Sequence, residues 1–134
     1  MTSTPSVSDL ITAARAAREF AVAPFSNFKV GAALLTRDGR IIGGCNVENA
    51  TYGLTVCAER VALFKALSEG ERAFAAIAVV ADTVAPTPPC GACRQLLWEY
   101  CGDIPVTLAN LTEITAQHQL GALLPEPFDA RLFR

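Results

Sequence analysis

The run Ala73-Phe74-Ala75-Ala76-Ile77-Ala78-Val79-Val80-Ala81 carries no polar side chain. A continuous apolar stretch of this length suits a strand buried on both faces of its sheet. Such a strand needs a helix layer above and below it, and the flanking sequence supplies helices. Residues 57–69 read as one, stopped by Gly70, and residues 91–101 as another, stopped by Gly102. Residues 104–109 follow as a short strand. Upstream, residues 28–36 and 40–47 read as strands joined at Asp38-Gly39, a hairpin signal. Val7, Leu10, Ile11, Ala14, Ala17 and Ala21 recur at helical spacing, Ser6 and Asp9 form a capping box, and Pro24 ends the helix. In the tail, 113–118 reads as a strand or as irregular chain, and 119–124 as a helical turn before Pro125. Strand and helix alternate from residue 40 to 109, which places a parallel pair among the later strands. The fold class expected is α/β, a three-layer α/β/α sandwich on a mixed five-stranded sheet.

The 134 residues fit one domain, 1–134, with residues 1–7 expected as a loosely ordered start. A hydrophobic content of 51% excludes a disordered chain. No apolar run reaches the eighteen or so residues of a membrane helix, and Met1-Thr2-Ser3-Thr4-Pro5 does not open a secretory signal. A net charge of −2 argues against a nucleic-acid polymer as partner. The cysteines are five: Cys45, Cys57, Cys90, Cys93 and Cys101. An odd count without an export signal points to metal or thiol chemistry in a reducing, cytoplasmic setting.

Three of these cysteines fall at expected helix starts. Cys57 opens Cys57-Ala58-Glu59-Arg60, and Cys90 and Cys93 lie in Pro88-Pro89-Cys90-Gly91-Ala92-Cys93. Helix N-termini present free N–H groups and a positive dipole end, which favour thiolates. Two termini converging would gather three thiolates, and zinc is the ion that best accepts tetrahedral sulfur ligation. Three protein ligands leave one position for water, the arrangement of a catalytic rather than a structural zinc. Glu59, in the first helical turn, can take a proton from that water. Three thiolates make the centre anionic, so a guanidinium from Arg60 or Arg94 donating to a ligand sulfur would offset the charge. Cys45 and Cys101 read as small apolar fillers, and His118 as a surface or partly packed residue.

The spacing Cys-x-Glu followed by Pro-Cys-x-x-Cys resembles the zinc-deaminase signature. From about residue 8 to 128 the chain resembles the small homotetrameric cytidine deaminases. Matching segments are Pro24 to Leu34, Gly44-Cys45-Asn46-Val47-Glu48-Asn49-Ala50, Cys57 to Arg60, Pro89 to Gln95 and Leu123-Leu124-Pro125. The resemblance implies one Zn2+ per subunit on Cys57, Cys90 and Cys93, with Glu59 catalytic and Arg60 supporting the ligands. It implies that Asn46 and Glu48 bind the ribose hydroxyls and that Phe28 packs on the pyrimidine. The backbone of Ala58 would bond the base, and Tyr52 would contact the nucleoside. Phe25 and Phe128 match aromatic positions that a neighbouring subunit contributes. Phe25 stands where the family usually has tyrosine. Residues 108–122 depart from the family and carry no assignment.

The implied reaction converts cytidine and deoxycytidine, with water, to uridine and deoxyuridine plus ammonia, a step of pyrimidine salvage. Water adds at C4, while Glu59 accepts its proton, delivers it to N3 and then protonates the departing amino group. A homotetramer with active sites at subunit interfaces, and no membrane partner, completes the expectation. Alternatives are deamination of a related heterocycle such as blasticidin S, a thiol oxidoreductase built on Cys90 and Cys93, and a non-enzymatic zinc module. The module would need a fourth protein ligand, such as Cys101 or His118.

Overall fold

The computed structural model describes residues 4–133. The order is α1 (Val7–Arg18), β1 (Val30–Thr36), β2 (Ile41–Cys45), α2 (Ala58–Ser68), β3 (Phe74–Ala81), α3 (Gly91–Cys101), β4 (Pro105–Ala109) and β5 (Ile114–Gln119). Short 3-10 turns follow at Leu120–Leu123 and Ala130–Phe133. The sheet runs β2-β1-β3-β4-β5. The apolar run forms β3, near the sheet's centre. It pairs antiparallel with β1 and parallel with β4, the parallel pair being joined through α3. β5 closes the far edge antiparallel to β4, which settles the ambiguous tail as a strand.

Alternation along the central strands divides the core into two layers. Ala33, Leu35, Ala78 and Val80 face α1, where Leu10, Ile11 and Ala14 pack on them. Ala32, Leu34, Ile77 and Val79 face α2 and α3, meeting Ala62, Leu63, Ala66 and Leu97. This is the three-layer α/β/α arrangement, with every residue of β1 buried.

Two glycines let helix backbone lie directly on sheet backbone. A Cβ at Gly31 would stand 2.0 Å from the Ala14 carbonyl oxygen of α1. On the other face, a Cβ at Gly44 would stand 2.5 Å from the Ala62 nitrogen and 2.8 Å from the Ala58 carbonyl oxygen of α2. β2 therefore seats α2, and with it the helix start that carries Cys57 and Glu59.

The first helix ends earlier than its periodicity predicts. Ser6 caps it as expected, its hydroxyl accepting from the Asp9 N–H while the Asp9 carboxylate accepts from the Ser6 N–H. Val7, the last residue of the start expected to be loosely ordered, is already helical; residues 1–3 lie outside the described residues. At the other end the chain leaves the helix after Arg18. The Val22 N–H donates to the Asn46 carbonyl (3.0 Å), and the Glu48 N–H donates to the Val22 carbonyl (2.8 Å). Backbone pairing beyond the end of β2 outcompetes another helical turn. The expected strands 28–36 and 40–47 shorten to Val30–Thr36 and Ile41–Cys45 because their outer residues enter the loops that build the site. Among the described residues, no helix is long and apolar enough to cross a membrane.

Candidate active site

Cys57 and Cys90 are the N-cap residues of α2 and α3, each in extended backbone before its helix turns. Cys93 lies in the first turn of α3 and is fully buried. The two helix starts converge, so the three sulfur atoms lie within 4.8 Å of one another. Cys57 Sγ stands 3.9 Å from Cys90 Sγ, and Cys90 Sγ 3.3 Å from Cys93 Sγ. Tetrahedral zinc with bonds of about 2.3 Å spaces its sulfurs by about 3.8 Å, so the donor set fits the ion with small adjustments. Cys101, at the end of α3, and His118, exposed on β5, stand outside this group. Among the described residues the cluster therefore offers three ligands, and the fourth ligand of a structural zinc module is missing.

The thiols are not equivalent. At Cys90 burial raises the pKa, but a hydrogen bond from the Cys93 backbone N–H and those shared with the Cys93 and Cys57 sulfurs outweigh it, and the net shift is downward. Burial pushes Cys93 far up, and the nearby Glu59 charge adds to the effect. The Arg60 guanidinium donates from Nη2 to Cys57 Sγ at 3.5 Å. Arg94 makes no such contact: its Nε donates to the Pro89 carbonyl and its Nη1 to the Leu123 carbonyl, tying the Cys90 loop to the tail. Of the two arginines weighed from sequence, Arg60 is the one on sulfur.

Glu59 is 5% exposed. Burial raises its carboxyl pKa, against smaller opposing effects from its own backbone N–H, the Arg60 charge and the Cys93 thiol. A carboxyl held this way accepts and returns a proton more readily near neutral pH than an exposed one. It lines a cavity of about 200 Å³ together with Cys57, Cys90, Ala58, Asn46 and Phe28. Phe28 precedes β1 and is 42% exposed, so it is a wall of this cavity rather than strand core. Ala58 is the first residue of α2, where backbone N–H groups lack intrahelical partners.

Asn46 directly follows β2. Its Nδ2 donates to the Phe28 carbonyl at 2.7 Å, and its Oδ1 accepts from the Val30 N–H at 2.9 Å. Glu48 lines an adjoining cavity of about 390 Å³ with Phe25, Ser26, Tyr52 and Thr55, and Thr55 borders both spaces. The Phe25 and Ser26 backbone N–H groups and the Ser26 hydroxyl all donate to the Glu48 carboxylate. The serine hydroxyl is the largest cause of its lowered pKa.

The family profile described as the cytidine and deoxycytidylate deaminase zinc-binding region matches residues 5–107. The chain belongs to this deaminase family. A cytidine deaminase of Halalkalibacterium halodurans is 57% identical over 122 residues, covering 90% of this chain and 92% of that protein. The crystal structure of cytidine deaminase from Burkholderia pseudomallei superposes with a TM-score of 0.88 at 55% identity, covering 92% of this chain and 100% of that one. The Mycobacterium tuberculosis cytidine deaminase structure gives a TM-score of 0.80 at 39% identity, covering 92% and 98%. The zinc of this deaminase family has its donor set in the three convergent thiols.

Not every residue expected at the deaminase site reaches one cavity. Phe25 and Tyr52 meet edge to face, ring centroids 5.3 Å apart, beside Glu48 and away from Glu59. Phe128 lines neither cavity; it is 60% exposed and packs against Phe133 at 5.7 Å. Sequence reasoning also missed lining residues. Thr55 and Val56 precede Cys57, and Thr87 and Pro88 stand just before the second cysteine pair. Adjacency to the ligands was the available signal. The role of Ser26 under Glu48 left none, since the two are 22 residues apart.

Proposed function

We propose that this chain is a zinc-dependent cytidine deaminase. It hydrolyses cytidine and deoxycytidine to uridine and deoxyuridine and releases ammonia. The observation that carries this reading is a buried carboxyl and three convergent thiols sharing one cavity with an aromatic wall. Zinc, when held by Cys57, Cys90 and Cys93, supplies Lewis acidity to water at its remaining position. Arg60 offsets the charge of three thiolates by its bond to Cys57.

Within that frame the protein's own groups do the rest. Phe28 packs on the pyrimidine, and the Ala58 backbone holds the base with C4 toward the sulfurs. Glu59 accepts the proton of water as it adds to C4 and passes it to N3. It then takes the remaining proton from the oxygen now on C4 and gives it to the amino group, so that C4=O forms as the C4–N bond breaks and ammonia leaves. A carboxyl whose pKa burial has raised performs both transfers without a large mismatch. Glu59 has more to bond in the transition state than in the bound substrate, which is the condition for rate acceleration. Asn46 and Glu48 take the ribose hydroxyls, Glu48 as an ionised acceptor.

Tyr52 contacts the nucleoside, and Phe25 and Phe128 act across subunit boundaries in a homotetramer. Their exposure on a chain this small supports burial by a second copy. Five unpaired cysteines suit a cytoplasmic enzyme of pyrimidine salvage. The test is purified protein with cytidine and with deoxycytidine, followed by ultraviolet loss and ammonia release, with and without a zinc chelator. Light scattering reads the subunit count. No ammonia from either nucleoside at full zinc occupancy refutes the reading.

A further inference from the structure

The loop from Ala23 to Phe28 is held by more than its backbone. Asn27 sits at φ 57, in the left-handed region that asparagine adopts more readily than most residues other than glycine. The Asn27 N–H closes a turn onto the Ala23 carbonyl at 2.9 Å. That turn brings the Ser26 side chain between two groups. Its Oγ accepts the Phe28 N–H at 3.0 Å and donates to the Glu48 carboxylate. A serine hydroxyl has a single proton. With the Phe28 N–H occupying a lone pair of the oxygen, that proton is aimed at Glu48. The Phe25 and Ser26 N–H groups meanwhile bind the other carboxylate oxygen, at 3.0 and 3.1 Å.

We propose that Ser26 is a positioning residue for sugar recognition: its hydroxyl, oriented by the Phe28 N–H, fixes the Glu48 carboxylate in the rotamer that accepts a ribose hydroxyl. This deepens the cytidine deaminase reading and rests on it. The geometry separates the sugar from the base. Phe28 keeps an independent hold through the Asn46 amide on its carbonyl, so loss of the Ser26 hydroxyl leaves the aromatic wall in place. Glu48, by contrast, keeps only the two N–H bonds to one oxygen, and its second oxygen is freed to swing.

The experiment compares steady-state kinetics of the full zinc-loaded enzyme with Ser26→Ala, Ser26→Thr and Ser26→Cys. In the alanine variant we expect KM for cytidine to rise about tenfold, the scale of one hydrogen bond to a charged group. kcat should stay within about twofold, because Glu59 and the thiols are untouched. Threonine keeps the hydroxyl and should restore KM. The inhibition constant of 2′,3′-dideoxycytidine, which has no sugar hydroxyl for Glu48, should be the same in wild type and variant. If alanine prevents folding, cysteine keeps the side-chain volume with a weak donor and should show the same split. Equal weakening of cytidine and 2′,3′-dideoxycytidine overturns the proposal, as does a fall in kcat at constant KM or a threonine variant no better than alanine. Those failures leave cytidine turnover by the wild type intact. A wild type that releases no ammonia from cytidine overturns the functional reading and this proposal with it.

Discussion

Gly43 and Gly44 are neighbours on one strand, yet a methyl group added to each should have opposite consequences. At Gly44 the new Cβ stands 2.5 Å from the Ala62 nitrogen, about 0.9 Å short of the 3.4 Å at which ordinary contact begins. The Ala58 carbonyl oxygen at 2.8 Å and the Ala62 Cα at 3.0 Å close the escape routes. All three atoms are helix backbone, so no side chain can swing aside and α2 must move off β2. Overpacking of this kind costs about 1–3 kcal/mol. The displaced helix also carries Cys57 and Glu59 at its first turn, and a misplacement near 1 Å lowers turnover by about a hundredfold. At Gly43, on the opposite face, the nearest atoms are the Ala17 Cβ at 3.4 Å and the Ala32 carbonyl oxygen at 3.8 Å. There the methyl group fits, and replacing glycine within a strand stabilises by about 0.4–1 kcal/mol. We expect Gly44→Ala to lower the thermal midpoint by several degrees and kcat by about a hundredfold, and Gly43→Ala to leave both near wild type. Calorimetry and ammonia release measure the two quantities. A Gly44→Ala enzyme of normal kcat and midpoint would refute the claim that this contact seats the catalytic helix.

Glu59→Gln should keep zinc and lose about 10²–10⁴ in kcat, with unchanged or raised stability because a neutral amide replaces a carboxyl whose ionised form is disfavoured by burial. Chelation should abolish ammonia release and spare the far-ultraviolet dichroism, since the large core side chains such as Leu34 and Ile77 are buried on other contacts; zinc should restore turnover. Unfolding on chelation would instead favour a structural metal. In the tail, hydrogen bonds from Arg131 hold Asp129 down at about 2, and Trp98 Nε1 also donates to it. Its folded pKa lies below its unfolded value, so its stabilising contribution is full above about pH 4 and is lost as the pH falls toward about 2. The difference in urea midpoint between wild type and Asp129→Asn, followed by Trp98 fluorescence, should therefore be present at pH 7 and mostly lost by about pH 2.

The central layers were legible because local and global signals agree there. The run 73–81 suits a doubly covered strand and forms one, and Gly70 and Gly102 fall just beyond the helices they are expected to stop. What escaped was set by partners distant in sequence. The pattern through Ala17 and Ala21 has the periodicity to continue α1 past Arg18, but Val22 finds a better partner in the backbone at Asn46 and Glu48. The strand edges at 28–29 and 46–47 look β-like, and 46–47 does pair, but with isolated bridges to Val22 and Val56 rather than as part of β2. The site divides the same way. Cys57, Glu59, Cys90 and Cys93 announce themselves by spacing near helix starts. Ser26 does not, because its importance lies in a carboxylate that only the folded loop brings to it.

One physical tension organises the whole centre. The cavity must be dry enough to raise the Glu59 pKa, and the same burial raises Cys93 beside it. The Glu59 charge further opposes a Cys93 thiolate, while the protonated Cys93 thiol eases ionisation of Glu59, so the two do not readily ionise together. A buried carboxyl and three neighbouring thiols cannot all give up protons without a cation among them. Arg60 supplies one positive charge through Cys57, which is too little for three sulfurs. A divalent ion resolves the conflict: its binding expels the thiol protons and leaves the carboxyl free to cycle its own. Under the proposed mechanism, the low exposure that would be a defect in a structural acid ties proton transfer at Glu59 to occupancy of the sulfur site. The two helix starts have to converge for either to work.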